Sequence, residues 1–224
     1  MPSLDVEPHQ NSIHQAQYPQ PQPSPNYRGY DHVTWYVGNA KQAASYYVTR
    51  MGFQVVAYRG LETGSRAITG YVVANSHAKF LLLTPLRRLE DLDDSYSTEE
   101  KTLVAEIHAH LEKHGDAVKD VAFEVDDAAA VYDASLVRGA TSVSASTVAK
   151  DSNGYVVTAT IQTFGDTTHT FVQRNDYRGP FLPGYREVTA TDPINNFLPS
   201  IDILDIDHCV GNQDWGQLGD VCDL

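Results

Sequence analysis

Two Asp-His pairs, one near each end of the chain, are the residues best suited to metal chemistry. Asp31 and His32 lie in a Tyr-Asp-His-Val stretch followed by Val-Gly-Asn, and Asp207 and His208 lie in Ile-Asp-His-Cys-Val-Gly-Asn. Imidazole nitrogens and carboxylate oxygens are common ligands of transition metals. A strand opening that recurs in this way is typical of a fold built from copies of one unit. We therefore interpret both stretches as openings of related units.

Other side chains could also do chemistry, but structural interpretations suit them better. His110 and His114 lie one helical turn apart, with Glu106 one turn before His110, a spacing that can hold a metal. On an amphipathic helix such residues more often form a solvated face or its margin. Asp126 and Asp127 precede a predicted helix, so we interpret them as capping residues rather than a catalytic pair.

His208 by itself is an ordinary strand histidine, and the residue that follows it is not placed to bind the same metal. Cys209 follows it directly, so in a strand the two side chains point to opposite faces. We interpret Cys209 as a small core residue.

The composition restricts the partners. The chain has 224 residues, 42% apolar content and a net charge of −13, which suits one or two packed domains. This acidity argues against nucleic acid and anionic membranes, because both need clustered Lys and Arg. We find no disulfide framework, no apolar run near the roughly 18 residues of a membrane span and no signal-peptide pattern. We expect a cytoplasmic location.

The elements that position these residues follow the order β-α-β-β-β twice. Asn39 caps the helix of the first unit and Gly52 ends it, while Gly139 ends the helix of the second. Between the units, Ser97 and Glu100 form a capping box that opens a further helix. The predicted strands span 30–37, 53–58, 67–74 and 79–84 in the first unit, and 118–125, 141–149, 155–163 and 168–173 in the second.

This pattern predicts an α+β fold in which paired βαβββ units form one curved sheet, with the unit helices outside and a cleft on the concave face. The domain would cover residues 27–175, from units 27–90 and 117–175 with the helix 97–115 between them. Six of the eleven prolines lie in residues 1–26, which we interpret as a disordered tail. We interpret residues 176–200 as an irregular linker. A strand over 201–210 would then open a further domain that covers 201–224.

Separated segments of the sequence resemble one known family in the same order. The segments are Tyr-Asp-His-Val-Thr-Trp-Tyr-Val-Gly-Asn-Ala-Lys-Gln-Ala-Ala (30–44) with Arg-Met-Gly-Phe (50–53), His-Gly-Asp-Ala-Val-Lys-Asp-Val-Ala-Phe-Glu-Val-Asp-Asp (114–127), Tyr-Arg-Gly (177–179) with Phe-Leu-Pro-Gly-Tyr (181–185), and Ile-Asp-His-Cys-Val-Gly-Asn (206–212). Together they resemble the eukaryotic type of the 4-hydroxyphenylpyruvate dioxygenase family, within the vicinal-oxygen-chelate superfamily.

The resemblance implies a non-haem Fe(2+) dioxygenase of tyrosine and phenylalanine catabolism. Such an enzyme converts 4-hydroxyphenylpyruvate and dioxygen to homogentisate and carbon dioxide, with iron held by two His and one carboxylate, and is a homodimer in eukaryotes. The first His ligand maps onto His208. The other two would lie beyond residue 224, so we expect a truncated form that is inactive alone, with no further catalytic residue in this chain. The family's N-terminal domain generally carries no metal, so we interpret His32 as structural.

Two alternatives stay open. A non-catalytic vicinal-oxygen-chelate module for binding or dimerisation fits the chain as a physical object. An enzyme similar to hydroxymandelate synthase would use the same substrate and ligand set, and the residues that distinguish it would lie outside this sequence.

Overall fold

The computed structural model describes residues 26–212 and 215–216. The predicted disordered tail lies outside the described residues except for Asn26, and so does most of the segment after residue 212. None of the helices in the described part of the chain has the length and apolar character that a membrane crossing requires.

The described chain confirms the two βαβββ units, with a helix between them and one short strand after them. Each predicted strand of the two units is present, with its ends shifted by no more than a few residues. The elements are β1 (Tyr27–Tyr36), α1 (Ala40–Met51), β2 (Gln54–Arg59), β3 (Ile68–Asn75), β4 (Ala78–Pro85), α2 (Thr98–His114), β5 (Ala117–Val125), α3 (Ala128–Val137), β6 (Ser142–Asp151), β7 (Gly154–Gln162), β8 (Thr168–Gln173) and β9 (Arg186–Glu187).

The helix ends are set by local side chains, as the sequence predicts. The Asn39 side chain accepts a hydrogen bond from the backbone of Gln42 at 3.0 Å, and Gly52 ends α1 with a left-handed φ of 71°. Ser97 and Glu100 form the reciprocal capping box of α2. Asp127 caps α3 by accepting from the backbone of Ala130, which confirms its structural interpretation.

All strands join one sheet in the order β6-β7-β8-β5-β1-β4-β3-β2-β9. The opening strands β1 and β5 pair antiparallel and join the units. Within each unit the opening strand pairs parallel with the last one, β1 with β4 and β5 with β8. The predicted α+β class with paired units in one sheet is therefore confirmed.

The sheet has helices on both faces. Trp35 lies opposite Leu82, and Val33 lies opposite Val121, so these residues share a face because paired residues project to the same side. This face carries α1 and α3. The alternate residues, such as Leu81 and Leu83, pack against α2 on the other face.

The predicted linker contributes to the core. Residues 176–185 are irregular, but the rings of Tyr177, Phe181 and Tyr185 are buried on the α2 face of the sheet. Farther along, β9 pairs with β2 and covers that edge of the sheet. Residues 176–187 are thus part of the folded unit.

The predicted strand over 201–210 is wrong: residues 201–212 are irregular. A strand needs a neighbour for its backbone groups, and this segment meets the turn between β3 and β4 rather than a sheet edge. There Asn75 donates to the carbonyl of Ile201 at 2.7 Å, and the backbone N–H of His77 donates to Leu204 at 2.9 Å. Ile203 and Ile206 pack against the α1 core.

Candidate functional site

The Asp207–His208 pair lies at the surface, and Asp207 contacts one nitrogen of the His208 ring. His208 Nδ1 lies 2.6 Å from Asp207 Oδ2. The His208 side chain is 70% exposed and the Asp207 side chain is 95% exposed. Since an ionised carboxylate can only accept hydrogen bonds, Nδ1 carries the proton in the neutral ring and Nε2 keeps its lone pair. His208 therefore offers one nitrogen donor to a metal.

The segment that carries His208 covers a large cavity. The cavity measures about 920 Å³ and lies on the sheet face that carries α1 and α3. Trp35, Phe80 and Phe123 line its sheet side, and residues 203 and 205–212 line the opposite side. The cavity lies between the sheet and residues 203–212, on the face that carries the unit helices α1 and α3, so the prediction of a cleft on the face away from those helices is wrong.

Cys209 does not occupy the predicted core position. It is a free, exposed cysteine, because the segment that contains it is irregular and lacks the alternation of a strand. The interpretation of Cys209 as a core residue was wrong.

The first Asp-His pair forms the same contact as the second but is buried. His32 Nδ1 lies 2.6 Å from Asp31 Oδ1, and both residues are buried. Arg174 donates to both carboxylate oxygens of Asp31, at 2.8 and 2.7 Å. The ring of Phe181 packs edge-on against His32 with centroids 4.8 Å apart. These contacts agree with a structural role for His32.

The contacts around Asp31 determine the pKa of its carboxyl group. Burial alone would raise the pKa of Asp31, but the hydrogen bonds from His32 and Arg174 outweigh burial and hold that pKa well below its ordinary value. Asp31 is therefore a buried, ionised group whose charge Arg174 balances.

The residues on α2 are not brought together as a ligand set. His110 is buried and packs edge-on against Tyr36, and burial lowers the pKa of its ring. His114 instead bonds Asp166 at 2.8 Å, and Glu106 pairs with Lys119 at 2.8 Å. The prediction of a solvated helix face fails for His110.

Sequence reasoning missed one buried acid. Asp120 on β5 is 8% exposed and accepts from Thr168 at 2.6 Å and from Thr170 at 2.9 Å. Burial raises its pKa despite these bonds. An acid beside the apolar run Val121-Ala122-Phe123 of this strand could have signalled it. Across residues 26–212 and 215–216, no three His, Cys, Asp or Glu side chains converge as a metal site.

Comparison with known proteins identifies the relatives of the chain. No family model matches it. A 4-hydroxyphenylpyruvate dioxygenase from Aspergillus fumigatus is 57% identical over 199 residues, which cover 88% of this chain and 49% of that protein. The protein of the same name from Coccidioides posadasii is 55% identical over 204 residues, which cover 91% and 51%. The chain thus spans about half the length of these curated relatives.

A solved structure shares the fold. A variant of 4-hydroxymandelate synthase from Streptomyces coelicolor aligns with a TM-score of 0.57 at 22% identity, over 79% of this chain and 45% of that one. The paired βαβββ units in one sheet have the vicinal-oxygen-chelate fold. Within that class, identity to the fungal proteins shows that the chain belongs to the 4-hydroxyphenylpyruvate dioxygenase family and matches its N-terminal half.

Proposed function

We propose that this chain forms the part of an Fe(2+)-dependent 4-hydroxyphenylpyruvate dioxygenase that contributes the first iron ligand. The complete enzyme would convert 4-hydroxyphenylpyruvate and dioxygen to homogentisate and carbon dioxide. The observation that carries the proposal is the 57% identity over 88% of the chain to a protein of that name.

The donor chemistry at His208 fits one position of the expected iron site. Non-haem iron of this kind is held by two His and one carboxylate, which leaves open positions for substrate and dioxygen. His208 offers Nε2 while Asp207 holds Nδ1, the arrangement that commonly orients a metal-bound histidine. We propose that the other two donors come from outside the described residues. When bound, the iron would bring the 2-oxo acid and dioxygen together for oxidation.

The rest of the chain would position His208. The Asn75 side chain holds the segment before His208 at two points: its amide donates to Ile201 at 2.7 Å, and its oxygen accepts from the N–H of Ile203 at 3.4 Å. Because Asn75 lies at the end of β3, these bonds tie the position of His208 to the sheet.

The test joins residues 1–212 of this chain to the second half of the Aspergillus fumigatus relative. The joined protein should release homogentisate, and His208→Ala should abolish its formation. His77→Ala serves as the matched control, because it removes another exposed imidazole and leaves the backbone bond of residue 77 in place. Homogentisate from the His208→Ala protein would contradict the ligand assignment.

The same assay separates the other candidates. The large aromatic cavity favours a non-catalytic binding or dimerisation module as the second candidate, which predicts no product from the joined protein. Formation of 4-hydroxymandelate would indicate an enzyme similar to hydroxymandelate synthase. The resemblance also implies a homodimer, which light scattering would test, and the cytoplasmic location expected from the sequence would be tested by cell fractionation.

A further inference from the structure

Both Asp-His pairs form the same hydrogen bond. In each, the aspartate contacts Nδ1 of the histidine that follows it, and the distance is 2.6 Å in both. The pairs lie 176 positions apart, in stretches of similar sequence. The contact therefore forms in two different environments, once in strand β1 and once in an irregular segment.

This contact requires an irregular backbone. Adjacent side chains of a regular strand point to opposite faces, so Asp31 could not reach the ring of His32 there. The pairing of β1 with β5 shifts register between Tyr30 and His32, and such irregularities re-aim side chains. At the second pair, residues 201–212 are irregular throughout, which gives Asp207 the same freedom to turn toward His208.

The two pairs differ in what surrounds them. Asp31 is held by Arg174 on both oxygens, and Phe181 packs against His32. Asp207 and His208 have no comparable cover, and both are mostly exposed. The contact between Asp31 and His32 is thus enclosed in the core. The same contact between Asp207 and His208 leaves Nε2 of His208 open to a ligand.

We propose that Asp207 is a positioning residue for the metal ligand His208. Its carboxylate accepts the Nδ1 proton, selects the tautomer with a free Nε2 lone pair and restricts rotation of the ring. The proposal rests on the proposed function for the identity of the metal, whereas the effect of Asp207 on the ring precedes metal binding. Loss of an outer partner of this kind typically weakens metal affinity about 10- to 100-fold.

The primary test needs no metal. The 224-residue chain, labelled with nitrogen-15, is studied by imidazole NMR about two pH units above the ordinary histidine pKa, and the His208 signals are assigned by their loss in His208→Ala. His208 should be mainly protonated on Nδ1. Asp207→Ala should shift the population toward the Nε2-protonated form. Asp207→Asn should keep an intermediate population, because the amide oxygen still accepts.

Asp205→Ala is the matched control. Asp205 is also exposed, lines the same cavity and carries the same formal charge, so its removal tests whether charge alone acts on the ring. It should leave the tautomer population unchanged. The proposal is overturned if wild type and Asp207→Ala show the same tautomer population, or if Asp205→Ala has an equal effect.

A second arm uses the joined protein of the preceding section. There Asp207→Ala should weaken iron(II) binding about 10- to 100-fold, and Asp207→Asn should recover part of the loss. If iron binding does not depend on His208 while the tautomer shift occurs, the proposed function fails and the positioning contact stands. If His208 binds iron but Asp207→Ala changes neither the tautomer nor the affinity, the positioning role fails and the function stands.

Discussion

Removing the Arg174 side chain should destabilise the fold strongly, because it leaves a buried charge without its partner. Asp31 is 1% exposed, and Arg174 bonds both of its carboxylate oxygens and the carbonyl of Phe181. Breaking one side of a buried ion pair costs about 3–5 kcal/mol. Because the Arg174 side chain is 18% exposed, water can reach the site, and we expect Arg174→Ala to cost about 3 kcal/mol, at the lower end of that range.

Urea unfolding of the 224-residue chain, followed by circular dichroism, measures this loss. Arg178→Ala is the control, because the Arg178 side chain forms an exposed pair with Asp176 at 3.7 Å, and such a pair contributes about 0–1 kcal/mol. Arg174→Lys keeps the charge but loses the two-pronged contact, so its stability should lie between those of wild type and Arg174→Ala. A free energy of unfolding for Arg174→Ala within about 0.5 kcal/mol of wild type would show that Arg174 does not stabilise the buried Asp31.

The same pair predicts a pH dependence. The folded-state pKa of Asp31 lies below its ordinary value of 3.8, so the stabilisation is fully present above that value and is lost as the pH falls toward the folded-state pKa. Arg174→Ala removes part of the cause, so its stability should depend less steeply on pH in this acid range.

Two further predictions concern α2. Ile107→Ala should lower the free energy of urea unfolding by about 2–5 kcal/mol, since Ile107 is fully buried and its truncation leaves a cavity. Leu61→Ala is the control, because the Leu61 side chain is 62% exposed. Equal effects of the two substitutions would contradict the assigned core. Ser97→Ala should cost about 0.5–2 kcal/mol because it removes the cap of α2, and unchanged thermal and urea midpoints would show that the cap does not contribute.

Local signals predicted much of this fold. Asn39, Ser97 and Asp127 cap helices where the sequence places them, because capping depends on residues three positions apart. The strands of both units follow from their β-branched and aromatic runs, which need only a neighbouring strand to form a sheet. The repeated order of strand and helix signals correctly predicted two related units, but the second Asp-His stretch lies in an irregular segment and opens no strand among the described residues.

Features that depend on distant contacts were not predicted. The burial of Phe181 arises from its contacts with the core, and nothing in its own neighbourhood signals it. His110 is buried because it faces Tyr36 on another element. The strand predicted over 201–210 has the composition of a strand but no sheet edge beside it. In the same way, the bond from Arg174 to Asp31 spans 143 positions and becomes visible only in the folded chain.

The iron content of the joined protein shows whether His208 is an iron ligand. Residues 1–212 joined to the second half of the Aspergillus fumigatus relative are loaded with iron(II), passed through a desalting column and assayed for bound metal. The unchanged protein and the His77→Ala control should keep about one iron per chain, as expected for a single site with three protein ligands, and His208→Ala should lose it. Full retention of iron by the His208→Ala protein would show that His208 is not an iron ligand.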